Sequence, residues 1–207
     1  MLFRSITMLT DDSIYDPNSS KVYTQSANEM ITKSLLPLYG QLLADEDPIP
    51  LYAIKLLSVI LEQIPDIVTV LQRLNLVGVV IQDFHADSHR LNAHLVKAVK
   101  AIVESKGLTV SDFERFGLVE KVGTVMEMVQ QKDQDWCIDS LLNIVYKLLF
   151  CASELLRREN SEATLGFAEP LLNWFPLCVK FMTTGEPSVR ENSMHCVTLM
   201  LQLYGKH

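Results

Sequence analysis

Three histidines, His85, His89 and His94, fall within ten residues, with Asp83 and Asp87 between and beside them. Two histidines four apart on one helix face can hold zinc. Here Ala86-Asp87-Ser88 reads as a turn between helices, and no His-Glu-x-x-His arrangement occurs. The expectation is therefore solvated loop histidines, with no metal ligand and no cofactor. Neither phosphate-cradling glycine motif is present, neither G-x-G-x-x-G nor G-x-x-x-x-G-K-[ST]. His85-Ala86-Asp87 looks superficially like a kinase catalytic-loop His-Arg-Asp, yet no Asn follows at the required position and no Asp-Phe-Gly comes later. No serine carries nucleophile-elbow glycines. The reading is a non-enzyme without catalytic residues. A small helical enzyme with a metal at His85 and His89 is the third reading, after the two given below. Cys137, Cys151, Cys178 and Cys196 form no Cys-x-x-Cys pair and lie on helix-like segments, as buried reduced thiols of a cytosolic protein do.

Other side chains are suited to recognition. Trp136, Trp174, Phe175 and Tyr146 are large enough to anchor a peptide, but at helical spacing core positions suit them better. On the polar sides of helices that would line a concave repeat face stand Gln82, Asp83, Glu120, Lys121, Thr124, Glu127, Asn173 and Lys180. They lack the Trp/Asn ladder with which nuclear-import armadillo proteins hold an extended peptide. Their mixed, slightly acidic character suits a basic or amphipathic partner segment. In Cys196 to Tyr204 only Thr198 and Gln202 are polar. A terminal helix of this kind reads as packed on two sides, which adds Leu199 and Leu203 as contacts for further repeats, a partner or a second copy of the chain.

Composition sets the outer bounds. The chain has 207 residues, 48% of them hydrophobic and 21% charged, with eight glycines and eight prolines. That is a globular composition, neither disordered nor collagen-like. A net charge of −7 argues against a nucleic-acid binder and against docking on an anionic membrane. The most apolar stretch, Cys137 to Leu156, contains Asp139, Lys147 and Glu154 and reads as a buried helix, not a membrane span. Arg4 interrupts the first apolar run and no small-residue cleavage site follows, so no signal peptide is expected and the location is cytoplasmic.

The elements that would position these residues are helices. Residues 1–25 are turn-rich (Asp11, Asp12, Ser13, Asp16, Pro17) and read as an irregular N-terminal arm, with 26–207 as the repeat domain. Pro37 bends or splits a first helix, Asp47-Pro48 caps a second, and Pro65 ends it. Further helices are expected over His89 to Glu104, closed by a left-handed Gly107, and after a capping box at Ser111-x-x-Glu114. Leu118 to Gln130, Asp135 to Glu159, a pair within Ser161 to Met182 split near Pro170 or Pro176, and Pro187 to Tyr204 complete the series. No period-2 alternation occurs, so the chain reads as all-α.

Self-similarity decides the class. Arg73-Leu74-Asn75-Leu76-Val77-Gly78-Val79-Val80 aligns with Arg115-Phe116-Gly117-Leu118-Val119-Glu120-Lys121-Val122 at an offset of 42. Gly166-Phe167-Ala168 with Leu171 follows as a looser third copy at 49, and Ser193 to Leu203 repeats the preceding long helix a fourth time. A period of this length, built of a long helix, a short connector and a final helix, predicts an armadillo/HEAT-type helical solenoid of about four units.

The block Asp45-Glu46-Asp47-Pro48-Ile49-Pro50-Leu51-Tyr52-Ala53-Ile54-Lys55-Leu56-Leu57, followed by Glu62, Pro65 and Leu74-Asn75-Leu76, carries a family resemblance. It resembles the run D-P-[IV]-P-x-x-A-[IL]-K-L-L that opens the C-terminal armadillo/HEAT tail of the Fused-type serine/threonine kinases. Their ciliary pseudokinase relatives in the Unc-51-like group share it. At the level of pattern the likeness covers about residues 35 to 160. It implies a scaffold arm that recruits partners in cilium, flagellum or microtubule-linked signalling. The Gly-rich loop, strand lysine and catalytic loop of the kinases have no counterpart in this chain, so no phosphotransferase role passes to any residue. The first reading is thus a non-catalytic protein–protein interaction scaffold, whose partner is a kinase or an axonemal or microtubule-associated protein. The second is a regulatory segment of a Fused-type kinase whose catalytic domain is absent from this chain.

Overall fold

The computed structural model of the chain describes residues 25–132, 135–159 and 163–205. The expected N-terminal arm lies outside them except for Gln25. All regular structure among the described residues is helical, as the missing period-2 alternation predicts. The chain divides into two compact units, Met1–Val79 and Val80–His207.

In the first unit the backbone is helical from Gln25 and loosens around Pro37. A π-turn over Ile31–Leu35 passes into a 3-10 turn over Leu36–Leu38 and then into α1 (Tyr39–Ala44). Proline has no N–H for the helical ladder and its ring crowds the preceding turn, which is why the helix is split there. Helix α2 (Ile49–Gln63) begins one residue later than the sequence suggests. Asp47 is not its cap: Pro48 holds that position and Pro50 is the first-turn proline, where a missing N–H leaves nothing unpaired. Tyr39, fully buried, donates its hydroxyl to the Ala53 carbonyl at 2.9 Å and so joins α1 to α2. Ile54, Leu57, Ile60 and Leu61 supply the apolar face of α2. A 3-10 turn (Pro65–Ile67) and α3 (Val68–Arg73) follow, and α4 (Leu76–Gln82) crosses the boundary between the units.

The second unit holds α5 (Ala93–Glu104), α6 (Val110–Arg115), α7 (Leu118–Lys132), α8 (Ile138–Glu159), α9 (Ala163–Ala168), α10 (Phe175–Thr184) and α11 (Pro187–Tyr204). A 3-10 turn over Glu169–Trp174 joins α9 to α10, so Pro170 and Pro176 each mark a change of geometry. The long helices α5, α8 and α11 are the opening helices of successive repeats, and they pack in that order, α5 on α8 and α8 on α11. Polar ties set the register of the last pair. Asn192 Nδ2 donates to Asp139 Oδ1 at 2.8 Å, Cys196 Sγ lies 3.4 Å from the Leu142 carbonyl, and the Tyr146 and His195 rings are 5.4 Å apart. Asp139 and Leu142 near the start of α8 meet Asn192 and Cys196 in rising order, so equivalent helices run in the same direction, as stacked repeats require.

The 42-residue repeat is a backbone fact as well as a sequence one. Asn75 and Gly117, aligned at that offset, are left-handed, with φ of 55° and 59°. Their neighbours match too: Leu74 N donates to Val70 O and Asn75 N to Gln72 O, while Phe116 N donates to Asp112 O and Gly117 N to Glu114 O. The proposed third copy does not reproduce this turn, because Gly166 sits inside α9. The equivalent connection there is made by the 3-10 turn instead.

Three local expectations are corrected. Helix α5 starts at Ala93 and not at His89, because the Asn92 side chain accepts from the backbone N–H groups of His94 and Leu95. Its end needs no left-handed Gly107: Ser105 leaves the helix extended, and its hydroxyl donates to the Ile102 carbonyl. The capping box of α6 is Thr109 with Asp112, not Ser111 with Glu114. Thr109 Oγ1 accepts from Asp112 N, and Asp112 Oδ2 accepts from Thr109 N at 3.0 Å. Leu108 and Phe113, both buried, then occupy the two positions of a hydrophobic staple, whereas a Ser111 cap would put Arg115 in the second. The Thr109 backbone N–H holds the Asp112 carboxyl below its usual range despite some desolvation, with the Thr109 hydroxyl and the Arg115 charge adding to the effect.

Gly117→Ala forces a Cβ into the left-handed region and lowers unfolding stability by about 1–2 kcal/mol. Gly123→Ala, inside α7 with open space around its Cα, raises stability by about 0.5–1 kcal/mol. Urea unfolding followed by circular dichroism reads both. By the same measurement Thr109→Ala loses about 1 kcal/mol and Ser111→Ala loses much less. Because the folded Asp112 pKa lies below its unfolded value, its contribution is present above about pH 4 and fades as pH falls. The gap between wild type and Asp112→Asn therefore narrows in acid.

Candidate interaction surface

The polar candidates all fall in the second unit, and the structure brings some of them together. Lys121 Nζ donates to the Gln82 carbonyl at 3.1 Å, which ties α7 to the end of α4. Asp83 turns away to a part-buried ion pair with Arg90 at 3.2 Å. Glu120, Thr124 and Glu127 are exposed on α7, and the Thr124 hydroxyl donates to the Lys121 carbonyl. Asn173 is exposed on the 3-10 turn before α10, not on α10 itself. Lys180 lies on α10 at the rim of a small cleft of about 80 Å³, beside Met126, Val129 and Gln130 of α7.

Leu199 and Leu203 are not surface contacts. They are 8% and 6% exposed and belong to the core face of α11 with Cys196, Val197 and Met200. The apolar residues that α11 shows to solvent are Met194 and Leu201, 49% and 54% exposed and seven residues apart on one side. The period of 3.6 separates the two sets; a count of apolar residues does not. Of the four aromatic candidates, Trp174 is core, Tyr146 and Phe175 are half-buried, and Trp136 is exposed.

The histidines do not share a helix face: His85 and His89 lie in the connection before α5, and His94 on its first turn. Among the described residues no group of three His, Cys, Asp or Glu side chains is placed to hold a metal. None of the described helices is long and apolar enough to cross a membrane. Cys137, Cys178 and Cys196 are buried and Cys151 is half-buried, all as free thiols. Burial pushes the Cys137 thiol up to about 12. The hydrogen bond between Cys196 and Cys178, together with burial, holds Cys196 protonated. Neither residue has the lowered, accessible character of a reactive thiol.

Composition and motif reading missed one feature. The left-handed corner at Gly117 and the α9 segment enclose an open cleft of about 430 Å³. Among the described residues it is lined by Phe113, Gly117, Leu118, Val119, Phe167 and Pro170, with the carboxylates Glu114 and Glu120. The Gly117 alignment at offset 42 was the signal for the corner; nothing in the sequence indicated that Phe167 and Pro170 would face it.

Comparison with known proteins agrees with the block at Asp45 to Leu57. Residues 1–69 match the family model described as serine/threonine-protein kinase ULK4-like, HEAT repeats. Over those residues the chain is similar to the HEAT repeats of ULK4-like kinases. It is 24% identical over 206 residues to the serine/threonine-protein kinase ULK4 of Mus musculus, covering 85% of this chain and 16% of that protein. It is 30% identical over 122 residues to the serine/threonine-protein kinase RUNKEL of Arabidopsis thaliana, covering 59% of this chain and 8% of that one. The chain thus spans well under a fifth of the length of either relative. No solved structure matches it. The family model that matches residues 1–69 describes HEAT repeats.

The division of α11 into two faces is testable. Leu199→Glu places a charge in the core and costs about 3 kcal/mol or more. Leu201→Glu changes stability by no more than about 0.5 kcal/mol. Denaturant midpoints of the two variants, measured side by side, check the assignment.

Proposed function

We propose that this chain is a non-catalytic protein-binding module, a stack of helical repeats that presents a rigid surface to a partner. The observation that carries the reading is the ordered packing of α5, α8 and α11. Such a stack commits its apolar residues to neighbouring repeats and holds its outer polar residues at fixed spacing, which suits docking of a helix or an extended segment. Gln82, Lys121, Glu120, Thr124 and Glu127 form one such polar stretch, with Asp83, Asn173 and Lys180 outside it. The excess of acidic groups favours a basic or amphipathic protein partner over nucleic acid or an anionic membrane. Met194 and Leu201 are the residues through which a second copy of the chain would associate. The setting that the family resemblance brings is cilium, flagellum or microtubule-linked signalling, with a kinase or an axonemal protein as partner.

A second reading is favoured by the names and lengths of the relatives. Both are called serine/threonine-protein kinases, and the chain corresponds to 16% and 8% of them. In this reading the repeats act on a kinase domain in the same polypeptide. Affinity capture from ciliated cells, with the folded chain as bait, tests both. The expected result is reproducible retention of a defined protein, lost when the bait carries Glu120→Lys and Glu127→Lys. Retention of a kinase domain supports the second reading. A folded, helical bait that retains nothing beyond the bare matrix overturns the first.

A further inference from the structure

We infer that the cleft between the Gly117 corner and the α9 segment seats a partner segment in which one large apolar side chain is flanked by arginine or lysine. The inference rests on the protein-binding reading and names the partner chemistry. The floor is apolar, built by Phe113, Leu118, Val119, Phe167 and Pro170. Its volume of about 430 Å³ lies in the range of about 300–1,000 Å³ typical of ligand-seating clefts. It opens to solvent, as a site for a protruding side chain must.

Charge selects the occupant. Glu114 and Glu120, both exposed, stand at the cleft. The cations nearest in sequence are engaged elsewhere. Arg115 pairs with Asp112 at 3.1 Å and lies over the Phe116 ring at 4.7 Å, and Lys121 reaches the Gln82 carbonyl. The cleft therefore offers an apolar seat beside two carboxylates, with no cation among the described residues of its lining. An acidic segment would bring like charges together, and a purely polar one would leave the floor wet. Gly117 borders the opening: nothing lies within 4 Å of the place a Cβ would occupy there.

The test uses the full chain, methyl-labelled for NMR, and three capped peptides: Arg-Arg-Leu-Phe-Arg-Arg, Glu-Glu-Leu-Phe-Glu-Glu and Arg-Arg-Ser-Ser-Arg-Arg. The first is expected to shift the Leu118 and Val119 methyl resonances saturably, and the other two are expected not to. Glu114→Lys with Glu120→Lys weakens the first peptide at least about tenfold, while the same charge change at Glu62 and Asp66 leaves it within about twofold. Equal binding of the acidic or serine peptide, shifts confined to other methyls, or no shift at about 1 mM peptide overturns the inference. Its failure is distinct from failure of the broader reading. A captured partner that still binds the Glu114→Lys, Glu120→Lys chain removes the cleft and leaves the module, whereas capture of no partner removes the module.

Discussion

Helix α8 carries more apolar surface than its own repeat can cover. Leu141, Leu142, Ile144, Val145, Leu148, Leu149 and Ala152 are all buried completely. No single partner helix shields a face that wide. The need to cover it from both sides is the constraint on which the second unit depends: α5 packs on one part, α11 on another, and α7 and α9 on the remainder. At about 1.5–3 kcal/mol for each large aliphatic side chain removed from water, this burial far exceeds the polar ties. The Asn192–Asp139 hydrogen bond contributes about 1 kcal/mol, so its role is to select the register of α11 on α8.

The same constraint explains why the candidate surface is polar and dispersed. Once the apolar faces are spent on neighbouring repeats, what remains outside is a set of side chains held at intervals by helix geometry. Catalysis asks for several groups converging on one point. Here Asp83 is drawn to Arg90, Lys121 to a carbonyl, and the histidines are spread over a connection and a helix start. Recognition is better served by such spacing, because a partner can be met at several separate places. The Gly117 corner is the exception, where the turn that lets α7 fold back also leaves an apolar opening.

The repeats are alike in order but not in detail. Two short-helix corners use a left-handed residue, glycine in one and asparagine in the other, and both types tolerate that backbone. The third connection uses a six-residue 3-10 turn carrying Pro170, since a proline there removes the N–H that a continuous helix would need. Different local chemistry thus serves one purpose, returning the chain so that the next long helix can lie along the last.

Much of this was legible in the residues. The missing strand alternation gave an all-α chain, the prolines at 37, 65, 170 and 176 gave breaks close to where the helices break, and the 42-residue offset aligned Asn75 with Gly117, though the left-handed backbone was expected at Gly107 and not at these two. These depend on nearest neighbours along the chain, and short-range sterics act in any context. Cap register was ambiguous, because Thr109 and Ser111 both head a plausible box and only the burial of Leu108 and Phe113 separates them. The faces of α11 and the cleft lay beyond the sequence altogether. Which of Leu199, Leu201 and Leu203 is covered depends on where α8 and α10 lie, and Phe167 and Pro170 reach the Gly117 corner from about fifty residues further along the chain. Local preference specifies helices and turns; only the long-range packing that buries them decides which side chains are left outside.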